Sequence, residues 1–521
     1  MTLKVSMSAC SENRSCACEG MKIVPHALQM EGKSSVPHRQ YCPKWVFRSF
    51  TYLANSKTYG ILIARRMMSA INTSIFDIFK IGPGPSSSHT IGPMKAAFRF
   101  RNSISQLPSN ELKTVTNIEV HLYGSLSATG KGHGTDRAIA AGLLGWQPET
   151  CDTEALSGLL SEKNKLHITI DPGISIPFGP HNIHFGKVHH SYPFNNTMVM
   201  QLMSNKKILL EKEYYSVGGG FVQCKDEVEP KRPAPPYPYT NMAEFKKNIL
   251  KHNISLVELM LCNEEVLTGL TREHIFSRLD EIAEVMERSV KKGISTEGVL
   301  PGPIGLFRKS GTLYRRADSL THTTDKFLVL LNAYALAASE ENAAGHLVVT
   351  APTSGASGVI PALLYLLKHH MRFKKHLLLE GLIAAAVVGF IAKHNASISG
   401  AEVGCQGEIG VASSMGAALV THVNGHPVNL VENAAEIALE HHLGITCDPI
   451  DGYVQIPCIE RNAVGAVEAY NSYLLASTGD PRKQKLSLDQ VIEAMLETGR
   501  DMSAKYKETS KGGLAVCAVN C

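Results

Sequence analysis

A proline-rich segment divides this sequence into two parts with different hydrophobic periodicity. Residues 225–239 contain five prolines among clustered charged residues, and proline interrupts both helices and central strands. Before this segment, short apolar runs such as Asn117–Tyr123 and His167–Ile170 alternate with polar residues, as half-buried strands do. After it, apolar residues recur at three- and four-residue spacing, which is typical of helices. The sequence therefore predicts an α+β protein, in which a mixed α/β domain precedes a mainly α-helical one.

The segments predicted to be helical follow this division. Thr135–Leu144 has a helical pattern in the first part, and five segments have it in the second: Thr271–Lys292, Leu328–Ser339, Leu377–His394, Asn429–His442 and Leu488–Thr498. The last has clear end signals, since Ser487 and Gln490 form a capping box and Gly499 stands where a left-handed residue ends a helix. We place an N-terminal extension at residues 1–68, the α/β domain at 69–224, the linker at 225–245 and the helical domain at 246–521.

The N-terminal extension differs from the rest in charge. Residues 1–68 hold 10 Lys and Arg against 3 acidic residues, whereas the remaining chain holds 42 against 44. Two interpretations stay open. The segment is either an organelle transit peptide, which would place the protein in mitochondria, or a disordered extension of a cytoplasmic protein whose true start lies near Met67 or Met68.

Composition excludes several classes of protein. A nearly neutral body lacks the basic stripe that a nucleic-acid surface needs, so we expect no nucleic-acid partner. The longest apolar stretch, Leu377–Ala392, contains Glu380 and is shorter than the ~20 residues of a membrane span, so we expect no membrane partner. Twelve cysteines are too few for a disulfide scaffold, and no signal peptide opens the chain. We therefore expect reduced thiols, available for catalysis or metal binding.

Three cysteines of the helical part stand among Gly, Pro or Asp residues at expected element boundaries. They are Cys405, Cys447 and Cys458, and Cys521 is the final residue. Three thiolates at loop positions could hold three corners of an iron-sulfur cluster. Their spacing matches neither the ferredoxin pattern nor paired zinc knuckles, and small buried hydrophobic residues are the alternative interpretation.

Local sequence is more specific than cysteine spacing. The block from Ile75 to Met94, which contains Gly-Pro-Gly-Pro-Ser-Ser-Ser-His, resembles the start of the iron-sulfur-dependent L-serine dehydratases of the single-chain type. Five further blocks resemble this family in order: Thr129–Asp136, Tyr215–Gly220, Glu341–Gly345, Asn395–Glu408 and Glu508–Leu514. The resemblance covers the chain from about Ile75 to Cys521.

The resemblance implies a cofactor and a reaction. It implies a 4Fe-4S cluster held by Cys405, Cys447 and Cys458, with the fourth iron open and Cys521 as its resting-state ligand until substrate displaces it. The open iron would act as a Lewis acid on the hydroxyl of L-serine. A base would then remove the α-proton, giving aminoacrylate, which hydrolyses to pyruvate and ammonia. The resemblance also implies a homodimer.

The same blocks supply the other candidate site residues. The serine loop, which we define as Ser86, Ser87 and Ser88, offers hydroxyls and amides for the substrate carboxylate, especially if a helix begins beyond it. His89 and His133 are both candidates for the base, and the sequence does not choose between them. Lys131 and Asn395 are predicted to orient substrate, with a structural loop as the equal alternative.

One departure from the family pattern leaves rival hypotheses open. Phe194 stands where relatives commonly have a histidine, while Asn196 of the same motif is present. The protein could therefore be a catalytically impaired serine-binding relative or one that contains zinc. A milder rival keeps the enzyme and makes L-threonine the main substrate.

Overall fold

The structure is a computed structural model, and it describes residues 69–161, 166–171, 174–225, 227 and 232–517. The predicted N-terminal extension and Cys521 lie outside the described residues. The described chain is α+β, as the sequence predicts: most of its strands precede residue 225, and helices dominate after it. The domain boundaries themselves stay predictions.

Strands of the described residues form one larger sheet and two small pairs. They are β1 (Ile81–Pro83), β2 (Asn117–Tyr123), β3 (Leu166–Asp171), β4 (Ile174–Phe178), β5 (Ile183–Phe185), β6 (Thr197–Ser204), β7 (Lys207–Ser216), β8 (Val222–Cys224) and β9 (Leu347–Val349). The five-stranded sheet has the order β5-β2-β6-β7-β8, and only its β2–β5 pair is parallel. Buried and partly exposed residues alternate along β2, which confirms the alternation seen in the sequence.

Most helices of the first part lie around this sheet, whereas Ile75–Ile78 packs into the helical part. The helices of the first part are Ile75–Ile78, Gly92–Ile104, Ser109–Leu112, Ser125–Thr129, Thr135–Leu143 and Thr153–Ser157, with a π-helix at Ser87–Ile91. Side chains of the longer helices share a core with the sheet, to which Phe100, Ile139, Val120 and Met200 contribute fully buried side chains.

Helices of the second part form a larger core of their own. They are Met242–His252, Leu256–Thr268, Arg272–Ser295, Ser310–Ala317, Thr323–Ala343, Val359–His369, Lys375–Asn395, Gly400–Val403, Ile409–Val423, Val428–Glu440, Cys458–Thr478, Leu488–Asp501 and Leu514–Cys517. The five helices predicted in this part are therefore present, most of them longer than the apolar pattern alone indicated. Gly381 allows the helices Lys375–Asn395 and Ile409–Val423 to pack closely, since a Cβ at Gly381 would lie 2.7 Å from Val423 Cγ2.

The two parts are joined at the beginning of the described chain. Ile75, Ile78 and Phe79 are buried in the helical core, and β1 pairs in antiparallel fashion with β9. The turn Gly218–Gly220 also reaches the helical part: its three residues all have positive φ, and a Cβ at Gly218 would lie 2.9 Å from Ser399 Cβ. These contacts bring the serine loop against the helical part.

One expectation from the sequence needs correction. The capping box of Ser487 and Gln490 is present, but the helix continues through Gly499 to Asp501, so Gly499 does not end it. This glycine instead permits a close approach of Val403, because a Cβ there would lie 2.6–2.9 Å from atoms of Val403.

The helix Lys375–Asn395 is long and apolar enough, by length and composition alone, to cross a membrane. However, 78% of its most apolar window is buried inside the protein, as expected of a core helix.

Candidate active site

A cavity between the two parts gathers five of the residues singled out in the sequence. Its lining residues come from six separated stretches of the chain: Ser86, His133, Gly355, Cys405, Glu408, Ile409, Cys447, Pro449, Val454, Cys458 and Glu508. All three cysteines predicted to bind metal therefore face one space, together with one histidine and one serine of the predicted set.

The thiols converge because three chain segments meet here. Cys405 begins a short 3-10 helix, and Cys458 is the first residue of the helix Cys458–Thr478. The Sγ atoms of Cys405 and Cys447 and a carboxylate oxygen of Glu408 all lie within 4.8 Å of one another. Each of these two thiols is 3.9 Å from Glu408 Oε2.

The cavity concentrates acidic groups. The neighbouring Cys405 thiol and burial raise the pKa of Cys447 well above its usual range. Burial, followed by the charge of Cys405, does the same for Cys458. Burial also raises the pKa of Glu408 to about 7. A bound cation would reverse these shifts, since metal ligands bind as thiolates and carboxylates.

Arg461 is a cation close to the thiols. Burial opposes its charge, but Cys405, Cys458 and Cys447 raise the pKa of Arg461 above its usual range. Its Nη1 donates to the Thr446 carbonyl at 2.6 Å and its Nη2 to Asp448 Oδ1 at 3.2 Å. Arg461 therefore holds the chain on both sides of Cys447.

His133 presents one ring nitrogen without a partner. Its Nδ1 lies 2.9 Å from the Thr129 carbonyl oxygen, and a carbonyl can only accept, so Nδ1 carries the proton. Nε2 therefore has a free lone pair, and it is buried without a hydrogen-bond partner among the described residues. Burial lowers the pKa of His133 to about 4, so the ring is neutral at physiological pH.

His89 is fully hydrogen-bonded, in contrast. It lies in the π-helix Ser87–Ile91, and Ser125 Oγ is 3.0 Å from its Nε2. Since Ser125 donates its hydroxyl to the Glu508 carbonyl at 2.6 Å, His89 Nε2 is the donor of that pair. Nδ1 then accepts from Ser88 at 2.8 Å. Burial, followed by the nearby His133, lowers the pKa of His89 well below its usual range.

Glu508 connects His89 to the cavity. Its Oε1 lies 3.4 Å from His89 Nδ1, and its Oε2 is buried without a hydrogen-bond partner among the described residues. Burial raises the pKa of Glu508 well above its usual range, and the charges of Glu408 and Cys405 act in the same direction.

The other predicted site residues lie around the cavity or away from it. Ser87 Oγ accepts from the Ser354 amide at 3.3 Å, which joins the serine loop to the helical part. Lys131 is exposed, and its Nζ lies 5.4 Å from the centre of the Phe185 ring. Asn395 donates to the Thr240 carbonyl at 2.8 Å. Neither Lys131 nor Asn395 is among the residues that line the cavity. Their substrate-orienting roles stay predictions.

Sequence reasoning missed three charged residues of this site. Glu408 and Glu508 both stand in blocks that carry the family resemblance, and Arg461 follows Cys458 by three residues. For the two glutamates, their position in those blocks was the signal that could have identified them. Phe194, the departure from the family pattern, packs with its ring centre 4.9 Å from that of Tyr215.

Comparison with known proteins agrees with the resemblance. Residues 251–515 match the family described as serine dehydratase alpha chain, and residues 74–227 match serine dehydratase beta chain. The L-serine dehydratase 2 of Escherichia coli is 45% identical over 465 residues, which cover 86% of this chain and 99% of that protein. The L-serine dehydratase of Haemophilus influenzae is 44% identical, covering 85% and 98%. That of Streptomyces coelicolor is 42% identical, covering 86% and 99%. The chain therefore belongs to the serine dehydratase family, as its motifs predicted.

Proposed function

We propose that this protein is an L-serine dehydratase, which converts L-serine to pyruvate and ammonia. One observation carries the proposal: His133, whose buried Nε2 has no hydrogen-bond partner among the described residues, lines the same cavity as Cys405, Cys447 and Cys458. The relatives are named for this substrate, and they match most of this chain.

The residues present fit the 4Fe-4S cluster that the family resemblance implies. Three buried thiols, the buried Glu508 and the partly buried Glu408 line one cavity, and this acidic surplus is a suitable environment for a cationic cofactor. Cys405, Cys447 and Cys458 would hold the cluster, and Cys521, outside the described residues, is proposed as its resting-state ligand. When bound, the cluster supplies a Lewis acid that polarises the substrate hydroxyl.

His133 is the base in this proposal. A general base needs a free lone pair to take up a proton from substrate. Because Nδ1 of His133 donates its proton to the Thr129 carbonyl, the free lone pair is on Nε2. His89 has no such free nitrogen, because Ser125 and Ser88 occupy both sides of its ring. His89 therefore serves as a positioning residue.

The serine loop completes the proposal. Ser86 lines the cavity, and its hydroxyl accepts from the His89 amide at 3.2 Å and lies 3.2 Å from Ser88 Oγ. Rotation of this hydroxyl from Ser88 towards the cavity would let it donate to a substrate carboxylate. Transfer of the α-proton to Nε2 of His133 and loss of the β-hydroxyl as hydroxide would leave aminoacrylate. Return of that proton from His133 to the hydroxide gives water and restores the neutral ring. Hydrolysis of aminoacrylate then releases ammonia and leaves pyruvate.

Anaerobic purification followed by iron, sulfide and pyruvate assays tests the proposal. We expect a brown protein with four irons and four sulfides per chain on the basis of the proposed cluster, and pyruvate formation from L-serine. Cys405→Ser should lose iron and activity together. Cys262→Ser is the matched control, because Cys262 lies 3.4 Å from Glu258 on a helix outside the cavity. A folded, colourless protein without iron or activity would refute the proposal.

Further assays address the rival hypotheses. Zinc without sulfide would favour the zinc-containing relative, and serine binding without turnover would favour the impaired one. The ratio of kcat/KM for L-serine and L-threonine decides the main substrate, since one methyl group in a tight pocket changes this ratio by ~10- to 200-fold. The homodimer is tested by light scattering, and a cytoplasmic or mitochondrial location by fractionation of cells.

A further inference from the structure

Glu508 is a cavity residue whose position is fixed by its backbone. Its amide donates to the Cys447 carbonyl at 2.7 Å, and its carbonyl accepts from Ser125 at 2.6 Å. The first contact ties it to the helical part and the second to the α/β part. Its φ of 57° lies in the left-handed region, a conformation that a non-glycine residue retains only when its surroundings hold it.

The two carboxylate oxygens of Glu508 have different surroundings. Oε1 is 3.4 Å from His89 Nδ1. Oε2 is buried, and no described residue offers it a hydrogen bond. An unsatisfied buried acceptor is unfavourable, and more so when it is charged, so a ligand donor at this position would be favourable.

The α-ammonium group of the proposed substrate is a hydrogen-bond donor that needs a partner in the cavity. L-serine has a carboxylate, a hydroxyl and this ammonium group, and the proposed function assigns partners only to the carboxylate and the hydroxyl. An ammonium group that enters a buried cavity needs a counter-charge, because its desolvation is otherwise uncompensated. Its own positive charge favours the ionised form of a neighbouring carboxyl group over the neutral form that burial favours. Glu408 is the other acidic candidate, but its Oε2 already lies 3.9 Å from both the Cys405 and the Cys447 thiols.

We propose that Glu508 determines specificity for amino acids by binding the α-ammonium group of the substrate through Oε2. The inference rests on the proposed function, and it adds the group that distinguishes serine from a hydroxy acid of the same shape. Arg461 does not compete for this carboxylate, since its guanidinium is directed to Thr446 and Asp448.

Anaerobic calorimetry with the iron-loaded protein tests the inference. The two ligands are L-serine and L-glycerate, which replaces the ammonium group by a hydroxyl. The wild type should bind L-serine more tightly by roughly 30-fold or more, as expected for a buried charge pair. Glu508→Gln should weaken L-serine binding by a similar factor and leave L-glycerate binding nearly unchanged. Glu493→Gln, at an exposed glutamate, is the control and should behave as the wild type.

Two results would overturn the inference. One is a wild type that makes pyruvate but binds both ligands equally. The other is Glu508→Gln with wild-type iron content and an unchanged preference for L-serine. If Glu508→Gln fails to retain iron, Glu508→Asp decides, because it keeps the charge on a shorter chain: retained preference supports the inference and equal binding overturns it. A wild type that makes no pyruvate refutes the proposed function instead.

Discussion

The imidazole rings of His89 and His133 lie 4.4 Å apart, measured between their centres. Two buried rings at this distance cannot both carry a positive charge without strong repulsion. Their hydrogen bonds divide the roles, since His89 is bonded through both nitrogens and His133 through only one. Proton transfer is therefore expected at His133, with His89 neutral beside it.

Replacing His133 tests this division. His133→Asn should lower kcat for L-serine by ~10²- to 10⁴-fold, the usual contribution of a general base. KM and iron content should change little, because His133 is not among the proposed metal ligands. Steady-state kinetics and an iron assay check both quantities. His376→Asn, at an exposed histidine, is the control, and a His133 variant with wild-type iron and kcat within tenfold would contradict the assignment.

Arg461 is predicted to help retain the metal. Its two donors hold the residues before and after Cys447, and a lysine cannot reproduce both bonds. Arg461→Lys should therefore lose iron to a chelator several-fold faster than the wild type, as measured by absorbance under anaerobic conditions. Arg482→Lys is the control, because the Arg482 side chain is 88% exposed. Equal rates of iron loss would remove this role from Arg461.

Gly499 is predicted to be essential for packing next to the metal ligands. Gly499→Ala would place a Cβ 2.9 Å from Val403 Cα, and Val403 precedes Cys405 by two residues. Overpacking of this kind costs about 1–3 kcal/mol of unfolding free energy, which exceeds the gain of up to about 1 kcal/mol in helix propensity. We expect a lower thermal midpoint and reduced iron content. Gly158→Ala, where a Cβ meets no atom within 4 Å, should change neither.

Glu264 is predicted to make stability depend on pH, away from the active site. The Ser74 hydroxyl donates to Oε1 of Glu264, and the Ile75 amide donates to Oε2 at 3.1 Å. Burial raises the pKa of Glu264 from 4.5 to about 7, so the folded protein binds the proton more tightly than the unfolded chain. The contribution of Glu264 to the free energy of unfolding is fully present below pH 4.5 and is lost as the pH rises through 7.

Thermal unfolding at pH 5.5 and pH 8 measures this effect. Glu264→Gln cannot ionise, so its midpoint should fall less than that of the wild type between these two values. At pH 8 the variant should be more stable by up to about 3 kcal/mol, since each pKa unit corresponds to 1.36 kcal/mol. Glu265→Gln on the same helix, where the carboxylate is 33% exposed and pairs with Arg272, should retain the wild-type dependence. Parallel curves for the wild type and Glu264→Gln would contradict the prediction.

Local sequence was sufficient for features that depend on neighbours along the chain. The periodicity of β2 and of the long helices and the capping box at Ser487 are local, because backbone geometry sets which residues share a face or an end. Gly499 shows where this reasoning ends. A glycine near a helix end favours a C-terminal cap, but here the contact with Val403 from another segment explains it.

The sequence by itself determined the family, the α+β class and the set of chemically capable residues, including the three cysteines and two histidines. Only the tertiary structure placed Glu408, Glu508 and Arg461 among the thiols and left a lone pair free on His133 rather than on His89. The physical reason is that burial and hydrogen-bond partners decide which groups hold charge or protons. Some of those partners are local, such as Thr129 for His133. Others come from segments hundreds of residues apart, such as Ser125 for the Glu508 carbonyl.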